Sequence, residues 1–260
     1  MDLGNLTLAQ EILAAAESEG IVSRLMGGLA VWERCPVSRS MLLSRAERSG
    51  DIDFVVSGRD RKRFERLLSS QFGLLIDPQL AQIPTEIHAR FYRSDGTRVC
   101  DITYDKIVYC HTIDLRGRLD KDPVTIPLAE LLLSKLQIVQ PSDKDVLDTV
   151  ALTTEHAFGF ADGETINLSV LRSRCASDWG LEHSALLSIY HTYGRLLDMT
   201  FLNMELRYAT ALRLLHLAGV LCVDGKPLRW RLRSLRGAGR RWYNEVESLG
   251  DPPIEELREA

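Results

Sequence analysis

DIDFVV, residues 51–56, is the stretch on which the reading of this chain turns. Ile52, Phe54 and Val56 alternate with Asp51 and Asp53, the two-residue repeat of a strand with one face against a core. The other face then presents both aspartates together. Two unpaired carboxylates held that close repel, and without a cation one of them tends to keep a proton. Gly58 closes the strand, and DRKRFERLLSSQ (60–71) follows with Phe64, Leu67 and Leu68 on one stripe, an amphipathic helix suited to covering a sheet.

Upstream, apolar residues recur at helical spacing from Leu6 to Glu19, and Gly20 ends the run. IVSRLM (21–26) reads as a short strand reaching Gly27-Gly28, LAVWER (29–34) as a helix starting at that turn, and the polar stretch 36–50 as a connection. Downstream, HARFYR (88–93) and RVCDITYD (98–105) flank SDGT (94–97), whose Asp95-Gly96 supplies tight-turn chemistry. Residues 87–104 therefore read as a hairpin with Asp101 on its second strand.

Pro127 opens the apolar helix PLAELLLSKLQIV (127–139), and Pro141 separates it from a second helix beginning at Ser142. SALLSIYHTYGRLLDMTFL (184–202) and ELRYATALRLLHLAG (205–219) repeat apolar residues at three and four positions. The predicted fold is an α/β (α+β) core with a mixed sheet over residues 1–125, followed by an all-helical domain over 126–260.

Asp51 and Asp53 offer hard oxygen ligands, which suit Mg²⁺ or Mn²⁺. Asp101 is the candidate third carboxylate, and three would permit a metal pair bracing an in-line displacement at phosphorus. A DxD pair alone is common on surface strands. Gly27 and Gly28, between strand and helix, let backbone N–H groups approach phosphate oxygens at the positive helix end, although most such pairs are simply turns. The reading requires Asp101 to face Asp51 and Asp53 closely enough to share a cation, and either Asp101 pointing away or a salt bridge filling the space between them would end it.

Taken in order, LMGGLAVW (25–32), RSGDIDFVV (48–56) and VCDITYD (99–105) resemble the nucleotidyltransferase superfamily related to DNA polymerase β. The resemblance covers roughly residues 20–105. It implies transfer of a nucleoside monophosphate from a magnesium-bound triphosphate to an acceptor, with Asp51, Asp53 and Asp101 as catalytic metal ligands and Gly27 and Gly28 holding the triphosphate. AELLLSKLQIVQPSDKDVLDTVAL (129–152) is similar to the helix pair of the minimal nucleotidyltransferase and abortive-infection toxin branch. That likeness implies a triphosphate contact for Lys135, with Lys144, Asp145 and Asp148 in support. One departure is Arg48-Ser49-Gly50, which sets the arginine one residue nearer the DxD than the family pattern does.

These residues carry structural readings as well. Ser142 and Asp145 have capping-box spacing, Lys144 and Asp148 are placed for an exposed i, i+4 pair, and a lysine such as Lys135 in an apolar helix can snorkel to solvent. His88 falls near the hairpin and could border the site.

A formal charge of −4, from 32 basic and 36 acidic residues, means that the molecule as a whole does not attract polyanions, so any such site is local. Arg229 to Tyr243, RWRLRSLRGAGRRWY, is the local exception: it mixes arginines with Trp230, Trp242 and Tyr243, which suits an RNA or tRNA acceptor, or else a solvated basic face whose tryptophans anchor a bundle. Five scattered cysteines without CxxC suit reduced thiols and a cytoplasmic setting. No signal-like start, membrane-length apolar run, HExxH, GxxxxGK[ST], GxGxxG or GxSxG is present. Two alternatives stay open: an inactive nucleotide-binding or toxin–antitoxin module of the same fold, with a protein antitoxin as partner, and a DxD glycosyltransferase.

Overall fold

The computed structural model describes residues 3–46, 51–78, 88–222 and 225–245. The chain is mixed α and β, with a five-stranded sheet in the order β1-β2-β5-β4-β3. Its strands are β1 (Ser23–Met26), β2 (Ile52–Val56), β3 (Leu75–Ile76), β4 (His88–Tyr92) and β5 (Arg98–Tyr104). β1 pairs antiparallel with β2, β2 parallel with β5, and β5 antiparallel with β4 across the expected Asp95-Gly96 turn. The outer edge of β1 is covered: Leu25 accepts from Ile126 N–H and donates to Val124 at 2.9 Å each.

Helix α1 (Leu3–Ser18) and helix α4 (Arg61–Phe72) pack together against the sheet. Their seating follows from the alternation in β2. Ile52, Phe54 and Val56 are fully buried, and the Phe54 ring meets that of Phe64 on α4 edge-on at 5.6 Å. The α4 stripe is confirmed by buried Phe64, Leu67 and Leu68, and Gly73 ends the helix in the left-handed conformation (φ 64°). The opposite face of β2 carries Asp53 and receives helix α2 (Gly27–Arg34).

Three expectations need correction. The polar connection 36–50 contains helix α3 (Arg39–Ala46), whose weak periodicity hides it; Leu42 is buried and α3 rests on the later helix Asp143–Glu155. After β5 the chain makes a second hairpin, β6 (Lys106–Val108) with β7 (Thr112–Asp114), too short to signal itself by alternation. The region from 126 onward is not wholly helical: β8 (Phe158–Gly159) and β9 (Ile166–Asn167) form a two-residue parallel pair. Arg48, Ser49 and Gly50 lie outside the described residues.

The rest of the chain builds α5 (Leu128–Leu136), α6 (Asp143–Glu155), α7 (Leu168–Ser177), α8 (Trp179–Leu197), α9 (Met204–Leu221) and α10 (Leu228–Ser234). α5 is buried along its whole length, and α6 starts at a complete Ser142/Asp145 capping box. Buried apolar residues from Ala9 to Leu221 form one contiguous cluster. A buried ion network adds to it: Arg118 pairs with fully buried Glu130 of α5 at 2.6 Å and with Asp162 at 2.7 Å. No helix among the described residues is long and apolar enough to cross a membrane.

Candidate active site

Parallel pairing of β2 with β5 sets the geometry of the acidic cluster, because Asp53 and Asp101 are direct partners in the register. Side chains opposite each other on adjacent strands share a face, so the two carboxylates stand side by side. Asp51 lies just before β2, two residues from Asp53. Gly27, at the start of α2, is backed against Asp53: a Cβ there would fall 2.0 Å from Asp53 Oδ2, and Gly27 has φ of +66°. Glycine is required at this position for two independent reasons, contact and conformation. Gly28 follows, half-buried, in the first turn of α2.

Enclosure and crowding change the Asp53 carboxyl. Burial, then the adjacent charge of Asp101, push its pKa up to about 7 against the opposing pull of Lys135, with Asp51 adding to the rise. Asp53 has no ion pair among the described residues.

Asp51 and Asp101 are bridged. Arg98 Nε lies 2.9 Å from Asp51 Oδ2 and donates to Asp101 Oδ1 at 3.1 Å, while Arg98 Nη2 also pairs with Asp101. Arg90, the β4 partner of Asp101, stands 3.7 Å from its Oδ1. A guanidinium therefore fills the space between two of the three carboxylates, the arrangement that sequence reasoning set against the site. Among the described residues no group of three His, Cys, Asp or Glu is arranged to hold a metal ion as it stands.

Neither arginine was anticipated. Strict alternation puts Arg98 and Asp101 on opposite faces, three residues apart. The register shift between Phe91 and Tyr92, however, leaves one extra residue in β5 between the pairs Phe91↔Cys100 and Tyr92↔Arg98, which inverts the parity. Arg90 was legible in principle, since counting back from the Asp95-Gly96 turn pairs it with Asp101.

Lys135 does not snorkel. It is buried on α5 and lies 2.8 Å from Asp148 and 3.7 Å from Asp145. Asp148 is fully buried, so it is not half of an exposed pair with Lys144, which sits half-buried in the first turn of α6. Asp145 serves the cap, accepting from Ser142 N–H at 3.1 Å. His88 opens β4; burial lowers its pKa and the charge of Asp101 opposes that shift, so it borders the acidic cluster.

Sequence reasoning also missed Tyr109, in the turn of the second hairpin. Burial, then the negative charges of Asp53, Asp101 and Asp145, hold its phenol well above the usual tyrosine range. Behind it opens a cavity of about 760 Å³, reaching from Tyr109 and Cys110 to Ile138 and Tyr243. No spacing rule brings residue 109 to residue 243; only the tertiary fold does.

The arginine-rich segment reaches this cavity because its aromatic residues are anchored. Trp230 Nε1 donates to Glu182 at 3.2 Å, and Trp242 Nε1 donates to Ser184 Oγ at 2.9 Å. The Trp242 ring meets Trp179 and His183 edge-on, and Asn244 N–H donates to Cys110 O at 2.9 Å. Both tryptophans therefore have structural work.

Comparison of the chain with protein-family models, curated proteins and solved structures finds no match.

Proposed function

We propose that this chain is a nucleotidyltransferase that moves a nucleoside monophosphate from a magnesium- or manganese-bound triphosphate to an acceptor and releases pyrophosphate. The observation that carries the proposal is the rung shared by Asp53 and Asp101, with Gly27 backed against Asp53 at the start of a helix. Paired carboxylates beside a glycine-led helix N-terminus suit a cation and a phosphate together.

The donor set fits a hard divalent cation. Burial, then the charge of Asp101, disfavour the ionised form of Asp53, which a bound cation would offset, and Arg98 supplies a positive charge to Asp51 and Asp101. Asp51, Asp53 and Asp101 would hold the ion, which when bound polarises the phosphate and favours an ionised acceptor oxygen. The α2 N-terminus receives phosphate oxygens on its N–H groups. One carboxylate of the Asp53 and Asp101 pair takes the acceptor's proton, the acceptor oxygen bonds to the α-phosphorus, and the bond to the β-phosphate breaks. Lys135, held by Asp148, sets a positive charge that acts on Asp53 and would serve the triphosphate.

The test is incubation with α-labelled ATP, CTP, GTP or UTP, Mg²⁺ and separate RNA, protein and small-molecule fractions. Labelling by wild type that disappears with Asp53→Asn supports the proposal; equal labelling by both ends it.

One observation favours a second reading, a nucleotide-binding or toxin–antitoxin module without chemistry. Arg98 already neutralises Asp51 and Asp101, leaving less demand for a metal. Thermal melts discriminate: failure of all four Mg²⁺-NTPs to raise the melting temperature favours the inactive module.

A further inference from the structure

We infer that the outer face of the α8/α9 hairpin is the interface of a two-fold symmetric dimer of this chain, in which the hairpins of two copies close into an antiparallel four-helix bundle. The inference concerns assembly and stands whether or not the acidic cluster does chemistry.

An unpartnered apolar face is the first argument. Helices α8 and α9 pack directly on each other, and Arg207 near the start of α9 donates to Leu197 O at the end of α8 at 3.0 Å. Each helix buries one side in the common core, α8 through Ile189 and Leu196, α9 through Leu214 and Leu217. The opposite sides are apolar too. α8 presents Leu187, Tyr190 and Leu197 there, and α9 presents Met204, Tyr208, Leu212 and Leu215, with Phe201 in the connection between them. Spacings of three, four and seven keep each set on one stripe. All eight side chains are between 41% and 67% exposed.

Missing charge is the second argument. From Tyr208 to Cys222 the only charged residue is Arg213. It is turned inward, donating to the carbonyls of Thr153 and His156 and lying over the Phe158 ring at 4.6 Å. On α8 no charged residue occurs between Glu182, buried against Lys226, and Arg195. In a chain that is 26% charged, this depletion is the composition of an interface core.

Area and end charges select a second copy as the occupant. Eight side chains of roughly 200 Å², each about half exposed, present on the order of 800 Å², which matches the ~800 Å² that each partner of a standard interface covers. The face is large enough to hold a dimer by itself. Asp198 and Glu205 stand exposed where α8 passes into α9, with no ion pair among the described residues, while Arg195 at that end is held by Asp143 at 2.7 Å. At the other end, Lys226 ties the start of α10 to Leu221 O at 2.8 Å, so exposed Arg229 and Arg231 lie beside the end of α9. A two-fold axis through the middle of the face lays the acidic end of each copy against the basic end of its partner, and every such contact occurs twice. A lipid surface would instead favour cations along both flanks of the stripe, and the acidic end opposes it.

The experiment is sedimentation equilibrium on the full chain, where wild type should show twice the chain mass at about 10 µM, within the affinity range of standard-sized interfaces. Tyr208→Glu/Leu212→Glu should sediment as a monomer with the circular dichroism of wild type. Asp198→Lys/Glu205→Lys should weaken the dimer at least fivefold, and adding Arg229→Glu/Arg231→Glu should restore it, which only the antiparallel arrangement does. Benzoylphenylalanine in place of Tyr190 should photocrosslink two copies through a peptide of α8 or α9, a readout that does not depend on how the glutamate variant folds. A wild type that stays monomeric, a dimer that survives both glutamates, or a crosslink outside the hairpin overturns the inference. So does wild type that is monomeric alone and cosediments with phosphatidylcholine/phosphatidylglycerol vesicles, since lipid is then the occupant.

Discussion

Asp53 and Asp101 face each other as direct partners on neighbouring parallel strands, and Asp53 bears the strain of that proximity, its carboxyl held near neutrality by burial and by its neighbour's charge. A raised acid pKa has a definite sign. The folded state keeps the proton that the unfolded chain loses, so the group's contribution to stability is present at low pH and is lost as pH rises through about 7.

Asp53→Asn should therefore stabilise the metal-free protein at pH 8 by about 1–2 kcal/mol, or roughly 3–6 °C in melting temperature. The gain should shrink at pH 5.5, where the wild-type acid is already protonated. Mg²⁺ should raise the melting temperature of wild type at pH 8 and leave that of this variant unchanged. Thermal melts at two pH values check all three, and an asparagine variant less stable than wild type at pH 8 would contradict the electrostatics.

Gly27→Ala should cost about 2–4 kcal/mol, combining left-handed backbone strain with a collision against Asp53 Oδ2. Gly194→Ala is the control. Gly194 lies inside α8 with open space around its would-be Cβ, and alanine there should stabilise by about 0.5–1 kcal/mol. Denaturant melts showing equal effects would remove the special role assigned to Gly27.

The strands, the Asp95-Gly96 hairpin, the α4 stripe and the Ser142 cap were legible because each is local: alternation, turn chemistry or helical spacing over a few residues. Asp51 and Asp53 could be assigned to a common face for the same reason, whereas the meeting of Asp101 with Asp53 depends on the non-local parallel pairing of β2 with β5. What surrounds them could not. The one-residue bulge that turns Arg98 toward the carboxylates breaks the parity on which strand reading depends. Helix α3 has only eight residues and little periodicity, and its place is set by the helix beneath it. Tyr109 meets Tyr243 across a cavity that only the tertiary fold creates, and Lys135 is drawn inward by an aspartate on another helix.

Arg98 competes for the same carboxylate oxygens as a metal ion. Arg98→Gln frees Asp51 and Asp101, so Mg²⁺ or Mn²⁺ affinity measured by titration calorimetry should rise at least threefold, on the order of 0.7 kcal/mol. A fall in affinity would instead make Arg98 a support that holds the two carboxylates in position for the ion.

Glu130 is fully buried and depends on Arg118, whose own pKa is raised by its bonds to Asp162 and Glu130. Arg118→Leu leaves that carboxylate uncompensated and should cost about 3–5 kcal/mol. Removing both charges, in Arg118→Leu/Glu130→Leu, should recover at least half of the loss. A double variant as unstable as the single one would mean that packing, rather than the stranded charge, sets the cost.

His156 gives the pH dependence at the acid end. Its buried ring bonds to the Arg34 carbonyl at 2.9 Å, and burial, then the Arg34 charge, lower its pKa. For a lowered histidine the folded state binds protons less well than the unfolded chain, so stability is complete above the ordinary imidazole value of about 6.5 and drains away as pH falls below it. Glutamine can keep a bond to the carbonyl without titrating. Between pH 7.5 and 5.5, wild type should therefore lose about 1 kcal/mol more than His156→Gln, roughly 2–4 °C of melting temperature. The remaining buried histidines and Asp53 contribute equally to both proteins and cancel in the comparison. Equal losses would mean that the ring is charged without penalty, and that Arg34 and the surrounding burial do not act on it as their positions require.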